Sequence, residues 1–347
     1  MRDPESVRVR VDLALETFVA EEISRLTAIN HRLAPVAHQL RTAVAEGKRL
    51  RAALCYWGWR AAGQPDSDAM IRAASAMELV HAAAIVHDDI IDGSAARRNA
   101  PTAHVALCEA IGGDDGKPGG VALAIVLGDL LISWAGQLFS SCGLPGPFLR
   151  RAQPLWSTLA TALVAGECLE ILRTGSRPST ADALEVIRYK TAKYTVEHPL
   201  HIGATLGGAP TGLLDAFTAY GIPLGEAFQL RDDLLGVFGD PGKTGKSNLD
   251  DLRGRKPTVL LAVTLAAAKG RDRKQIERLL GSRSEIGAVH LEVIQEIMLR
   301  TGARQRIESM IADRTAQATA AIERARLPAA ASDALTQLAS ALTTREN

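Results

Sequence analysis

The run Ala73-Ala74-Ser75-Ala76-Met77-Glu78-Leu79-Val80-His81-Ala82-Ala83-Ala84-Ile85-Val86-His87-Asp88-Asp89-Ile90-Ile91-Asp92 decides the fold. It is apolar around most of a helical circumference and lacks the period-two alternation of a half-exposed strand. A helix apolar on nearly every side must be enclosed by other helices. Helical periodicity recurs along the chain and predicts helices near 9–29, 33–45, 48–62, 67–92, 118–141, 154–173, 181–206, 211–238, 257–269, 273–281, 287–325 and 329–343. Breaks carry Gly and Pro, as in Gly63-Gln64-Pro65, Gly112-Gly113, Gly143-Leu144-Pro145-Gly146-Pro147 and Gly207-Gly208-Ala209-Pro210. Pro199 should kink the run that contains it. Neither a long linker nor a solenoid-length repeat is visible, so residues 1–347 are read as one all-α domain, a large bundle of mostly antiparallel helices.

Composition agrees. Aromatic residues are 4% of the chain and alanine is plentiful, which favours close helix packing over sheets. With 40 Lys+Arg against 39 Asp+Glu the formal net charge is +1, so there is no basic field to grip nucleic acid. Cys55, Cys108, Cys142 and Cys168 are not spaced as a metal knuckle and are read as reduced, buried thiols of a cytoplasmic protein. Met1 to Arg10 is charged and lacks the apolar core of a signal peptide. Val121 to Phe139 is apolar over roughly a bilayer's thickness, but Asp129 at its centre argues for a buried helix rather than an integral membrane segment.

The chemistry lies where carboxylates interrupt apolar helices. Asp88 and Asp92 are four residues apart and share a helical face, with Asp89 about 100° round. Like charges so placed repel, and burial adds to the cost, so a cation is expected between them. A hard ion with oxygen ligands suits the set: Mg²⁺ takes one or two carboxylates and completes its shell with water and substrate phosphate. For this pair alone a solvated helix end, before Gly93-Ser94, is the alternative. A second cluster, Phe228-Gln229-Leu230-Arg231-Asp232-Asp233-Leu234-Leu235-Gly236, shifts the balance. Facing helices would form a carboxylate-lined mouth for several ions.

Basic residues suggest polyanionic ligands. Gly47-Lys48-Arg49-Leu50-Arg51 opens a helix and offers cations and backbone N–H groups to phosphate. Arg97 and Arg98 follow the first cluster, Lys190 lies within Tyr189-Lys190-Thr191, and Lys243 and Lys246 occupy a Gly-rich loop that is no Walker A motif. Taken singly, each is more often a solvated charge; grouped, they suggest one diphosphate reached through metal and one held directly. His198 and His201 beside Glu197 are read as packing, since their spacing spans Pro199 and no third zinc ligand is apparent.

From about Gly47 to Leu260 the chain resembles the trans-isoprenyl diphosphate synthases, the polyprenyl synthetases. The resemblance is carried by Gly47-Lys48-Arg49-Leu50-Arg51, Glu78-Leu79-Val80-His81, His87-Asp88-Asp89-Ile90-Ile91-Asp92 with Arg97-Arg98, Gly128-Asp129, Lys190-Thr191, Phe228-Gln229-Leu230-Arg231-Asp232-Asp233, and Lys246 with Lys256. Tyr194 to Leu200 and Asp232 to Asp240 are similar to the actinobacterial geranylgeranyl-type branch. The resemblance implies an isoprenoid synthase-like bundle around a central active-site cavity, acting as a cytoplasmic homodimer that condenses isopentenyl diphosphate with a dimethylallyl, geranyl or farnesyl diphosphate. It implies Mg²⁺, several ions per site, held by Asp88, Asp89, Asp92, Asp232 and Asp233. Arg97, Lys190 and Lys246 would contact the allylic diphosphate; Lys48, Arg51, His81 and Arg98 would bind isopentenyl diphosphate; Thr191 and Gln229 would line the cation site.

Three positions depart from the family pattern. Gly236 stands where a third Asp is usual, Asn99 stands where Gly normally follows the Arg pair, and Thr344-Arg345-Glu346-Asn347 lacks a basic tail. Small residues at Ala83 and Ala84 permit a deep chain-growth tunnel and an all-trans product beyond fifteen carbons, taken as geranylgeranyl diphosphate, with a farnesyl or a longer product left open. Trp134 is either a lower floor of that tunnel or a core side chain. A class I terpene cyclase would not be expected to keep Lys48, Arg51, His81 and Arg98 together, and a non-catalytic subunit of a heteromeric prenyl synthase would lack the Asp clusters.

Overall fold

The computed structural model describes residues 4–97, 99–112, 116–240, 242, 248–281 and 287–344. Among them the regular structure is helical, apart from one hairpin, β1 (Ala96–Arg97) against β2 (Ala100–Pro101), antiparallel with Arg97 opposite Ala100. The all-α expectation is met. The chain forms two compact units, Met1–Gln153 with Pro199–Ala209, and Pro154–His198 with Pro210–Asn347.

The first unit is built around α4 (Asp68–Ile91), preceded by α1 (Pro4–Ile29), α2 (Ala34–Ala45) and α3 (Leu50–Ala61) and followed by α5 (Ala103–Ile111) and α6 (Gly116–Ser140). Ser67 caps α4 by accepting a hydrogen bond from the Met70 N–H. Its apolar circumference is used: Met70, Ile71, Ala74, Met77, Leu79 and Val86 are all buried. In α1 a single stripe, Val7, Val11, Leu15, Phe18, Val19 and Ile23, faces inward at helical spacing. Arg10 on another face reaches Asp66 at 2.8 Å and Asp68 at 2.5 Å, tying α1 to the turn before α4.

In the second unit α7 (Gly146–Arg173) contributes its residues from Pro154 onward, followed by α8 (Thr180–Val186) and a π-helical segment, Ile187–Glu197. Next in the unit comes α10 (Thr211–Phe238); α9 (His198–Leu206) gives all but His198 to the first unit. Arg231 of α10 forks onto Glu308 with contacts of 2.8 and 2.7 Å and donates to the Thr343 carbonyl at 3.0 Å. It thereby ties α10 to the helices Ala303–Arg324 and Ala329–Thr343. A groove of about 600 Å³ runs along Ala303–Arg324, lined by Ile311, Ala312, Thr315, Ala316 and Thr319 with Arg231, but by none of the proposed site residues.

The helices differ from expectation in several places. α5 was hidden by its short length and the Pro101 break before it. α7 begins at Gly146, ahead of the predicted start at residue 154, and runs through Pro154. The run 287–325 is two helices, parted by Gly302 in a left-handed conformation (φ 73°). Ahead of Pro199 the chain widens into the π segment, a form that relaxes the ordinary helical hydrogen-bond ladder where a proline lacks its N–H.

Three helices, Asp68–Ile91, Gly116–Ser140 and Gly146–Arg173, are long and apolar enough to cross a membrane by length and composition. The expectation that Val121 to Phe139 is a buried helix holds for one face only. Leu127, Leu131, Trp134 and Leu138 are buried, whereas Ile125, Val126 and Ile132 are exposed, and Asp129 is 66% exposed beside His87. The prediction of four buried thiols is also corrected. Cys55 and Cys142 are buried, Cys108 is half-buried, and Cys168 is exposed because it lies on the outer face of α7.

Candidate active site

The first carboxylate cluster closes α4. Asp89 is buried, Asp88 is half-buried, and Asp92 caps the helix, its N–H bonded to the Asp88 carbonyl at 2.8 Å. The chain then turns back: the Ser94 N–H donates to the Asp89 carbonyl, and the Thr102 hydroxyl donates to the Ser94 carbonyl at 2.7 Å. This loop delivers Arg97 to the cluster. Its Nε and Nη2 donate to Asp89 at 2.9 and 2.7 Å, and Nη2 lies 3.6 Å from Asp88. Burial alone would lower the guanidinium pKa, but the Asp89 hydrogen bonds and the charges of Asp89, Asp88 and Asp92 push it up. A cation does stand among the aspartates, and it is an arginine of the same unit.

Lys48 is exposed and Arg51 half-buried at the start of α3. Arg49 between them is structural: it is 5% exposed, adopts a left-handed backbone (φ 50°), and bonds Asp12 at 2.6 Å and the Val44 carbonyl at 2.6 Å. The N–H groups at this helix start were expected to be open to phosphate. That of Ala52 is instead taken by buried Glu78 at 2.9 Å. His81, Ala83 and Ala84 lie along α4, with Ala83 buried and His81 and Ala84 half-buried. Trp134 is buried edge-on to Phe18 at 6.2 Å, so its packing role has an observed partner.

The second cluster belongs to a hydrogen-bonded chain. The Thr191 hydroxyl donates to Gln229 Oε1 at 2.9 Å, and Gln229 Nε2 donates to Asp233 at 3.0 Å. Asp233 is buried, while its neighbour Asp232 is half-buried. Burial pushes the Asp233 carboxyl up to about 7, opposed by the Gln229 hydrogen bond, assisted by the charges of Asp251 and Glu170, and opposed by Lys256. Lys190, next to Thr191, sits between Glu167 and Glu170 at 2.8 Å from each. Sequence reasoning passed over these glutamates. Their signal was two acids, three residues apart, inside an otherwise apolar helix. Glycines let the elements approach: a Cβ at Gly166 would collide with the Lys190 backbone, and one at Gly225 with Ala192. Arg98, Lys243 and Lys246 lie outside the described residues.

Among the described residues no three His, Cys, Asp or Glu side chains are grouped as a ready metal cage. The donors nonetheless suit Mg²⁺, which is commonly held by one or two carboxylates plus water and substrate phosphate. Both clusters offer carboxylate oxygens, and a divalent ion would favour the ionised form of Asp233, whose carboxyl burial pushes up.

Comparison with known proteins gives a consistent result. Residues 34–298 match the model of the polyprenyl synthetase family. The (2E,6E)-farnesyl diphosphate synthase of Mycobacterium tuberculosis is 36% identical over 224 residues, which are 63% of this chain and 57% of that protein. The chain therefore matches little more than half the length of that relative. The geranylfarnesyl diphosphate synthase of Aeropyrum pernix is 33% identical over 69% of this chain and 72% of its own. Among solved structures, geranylgeranyl pyrophosphate synthase from Corynebacterium glutamicum, complexed with isoprenyl diphosphate and magnesium, superposes with a TM-score of 0.91 at 34% identity. That match covers 99% of this chain and 98% of that one. These relatives are prenyl diphosphate synthases of differing product length.

Proposed function

The chain belongs to the polyprenyl synthetase family, and from that premise we propose that it is a trans-prenyltransferase that joins isopentenyl diphosphate to an allylic diphosphate. The product we propose is geranylgeranyl diphosphate. The observation that carries the reading is the chain Thr191–Gln229–Asp233 with Lys190 alongside. It gathers into one unit the polar groups that such chemistry needs around an ionising allylic diphosphate.

In this reading Asp88, Asp89 and Asp92, with Asp232 and Asp233, hold Mg²⁺. When bound, the metal stabilises negative charge developing on the leaving diphosphate. Lys190, Arg97 and Lys246 bind that diphosphate, and Lys48, Arg51, His81 and Arg98 orient isopentenyl diphosphate. The Thr191 hydroxyl and Gln229 amide present oxygen dipoles toward the allylic cation. Apolar walls exclude water that would otherwise trap it. The isopentenyl double bond attacks, a new carbon–carbon bond forms, and the proton lost passes to the expelled diphosphate. Small side chains at Ala83 and Ala84 leave room for the growing chain.

We further infer a cytoplasmic homodimer. Its support is exposed apolar surface: Ile125, Val126 and Ile132 on α6, and Val164, Ile171 and Leu172 on α7. Large apolar side chains lined up along a helix face are the kind of surface that association covers.

Incubation with Mg²⁺, labelled isopentenyl diphosphate and dimethylallyl, geranyl or farnesyl diphosphate tests the activity. Elongated diphosphates are expected. A hydrocarbon product would make the protein a cyclase, and absence of turnover would leave it a partner subunit.

A further inference from the structure

Glu167 and Glu170 share one face of α7, with side chains only 18% and 16% exposed. Two carboxylates at that spacing repel, and partial burial raises the cost. The Lys190 ammonium lies 2.8 Å from both, and the Lys256 ammonium lies 3.7 Å from Glu170. This arrangement is set by the backbone. Gly166, immediately before Glu167, faces the backbone of Lys190 so closely that any Cβ would collide with it.

We propose that Glu167 and Glu170 are positioning residues, which fix the Lys190 ammonium in the orientation from which it meets the allylic diphosphate. The proposal rests on the reading of Lys190 as a diphosphate contact. A lysine ammonium is a compact charge with three donors on a flexible four-carbon stem, so by itself it is poorly oriented. Two glutamates that engage two of those donors also fix the direction of the third. The carboxylates gain from the arrangement as well, since the ammonium separates their charges. Neither glutamate touches substrate in this scheme; both act through Lys190.

The test compares Glu170→Gln, Glu167→Gln, Lys190→Met and the double variant Lys190→Met/Glu170→Gln in the full chain. Steady-state kinetics use geranyl diphosphate, isopentenyl diphosphate and Mg²⁺. Each Gln variant should lose on the order of tenfold to a hundredfold in kcat through misplacement of a binding group, with KM for isopentenyl diphosphate unchanged. Glu170→Asp should recover part of the loss. In the Lys190→Met background Glu170→Gln should cost nothing further; an equal loss in both backgrounds overturns the proposal. If Lys190→Met turns over like the native chain, the reading of Lys190 itself fails, and the proposal falls with it. Melting temperatures of the same proteins give a readout independent of turnover. Lys190→Met should lower the melting temperature and the added Glu170→Gln should raise it again, because one of two facing charges is then gone. A drop of the same size from Glu170→Gln in both backgrounds would show that the glutamate is not coupled to Lys190 and would end the proposal.

Discussion

A Cβ placed on Gly236 of α10 would stand 2.7 Å from Oδ2 of Asp251. The second aspartate cluster therefore ends in glycine beside a carboxylate brought from the short helix Asp250–Arg253. A third aspartate on α10 would meet that carboxylate at less than contact distance. Gly236→Asp should thus destabilise the protein by about 1–3 kcal/mol, the usual range for overpacking, with charge repulsion adding to it. Asp251→Asn in the same chain should recover part of the loss. Urea unfolding of the single and double variants checks this; a Gly236→Asp protein as stable as the native one would refute it.

Arg97 holds Asp89 through two nitrogens, and Asp89 is 4% exposed. Removing one partner of such a pair leaves a buried charge uncompensated. Arg97→Ala should cost on the order of 3 kcal/mol, at the low end for buried pairs because the arginine retains some exposure. Arg97→Lys should rescue little, since an ammonium cannot reproduce the fork. Denaturation midpoints of the two variants decide it: equal stability of Arg97→Lys and the native chain would mean that charge alone matters.

The bundle was legible because apolar residues recur at helical spacing, and that pattern follows from burial alone. Both aspartate clusters were legible for the converse reason, since charge inside an apolar helix is costly and calls for explanation. What sits against each charge was not. The pairing of Arg97 with Asp89 depends on a tight hairpin whose turn includes Asn99 at φ 61°. Asparagine there replaces the glycine usual in the family, and after glycine it is among the residues that best tolerate that conformation. In the sequence it read as a departure; in the structure it is a near-equivalent. Glu167 and Glu170 escaped notice because their partner Lys190 is some twenty positions away, across a turn whose geometry no periodicity encodes. Asp251 escaped in the same way, its proximity to Gly236 being set by a connection that gives no periodic signal.

Cys168 lies in the exposed apolar stripe of α7 with Val164, Ile171 and Leu172, while Cys55 is fully buried and burial pushes its thiol pKa well up. A thiol reacts as the thiolate, so Cys55 should resist maleimide at neutral pH at any protein concentration. Cys168 should be slow to label where the protein is dimeric and fast once dilution separates the subunits. Labelling followed by peptide mass analysis, beside sedimentation at the same concentrations, checks both. Rapid labelling of Cys168 in a confirmed dimer would exclude the α7 stripe from the interface.

Ala84 is half-buried and Ala83 buried on α4, four and five residues before Asp88. If these small side chains admit the growing prenyl chain, a large one at either place must stop it sooner. Ala84→Phe is expected to shorten the product from geranylgeranyl toward farnesyl diphosphate, as read by mass analysis of the dephosphorylated alcohols. An unchanged product length would sink the idea that α4 sets the floor. Trp134 provides the contrast. Its ring is perpendicular to that of Phe18 on α1 and 4% exposed, so Trp134→Ala should remove core packing worth about 3–5 kcal/mol. Its product distribution should match that of the native chain. A stable Trp134→Ala protein making longer products would instead place the lower end of the shaft at this residue.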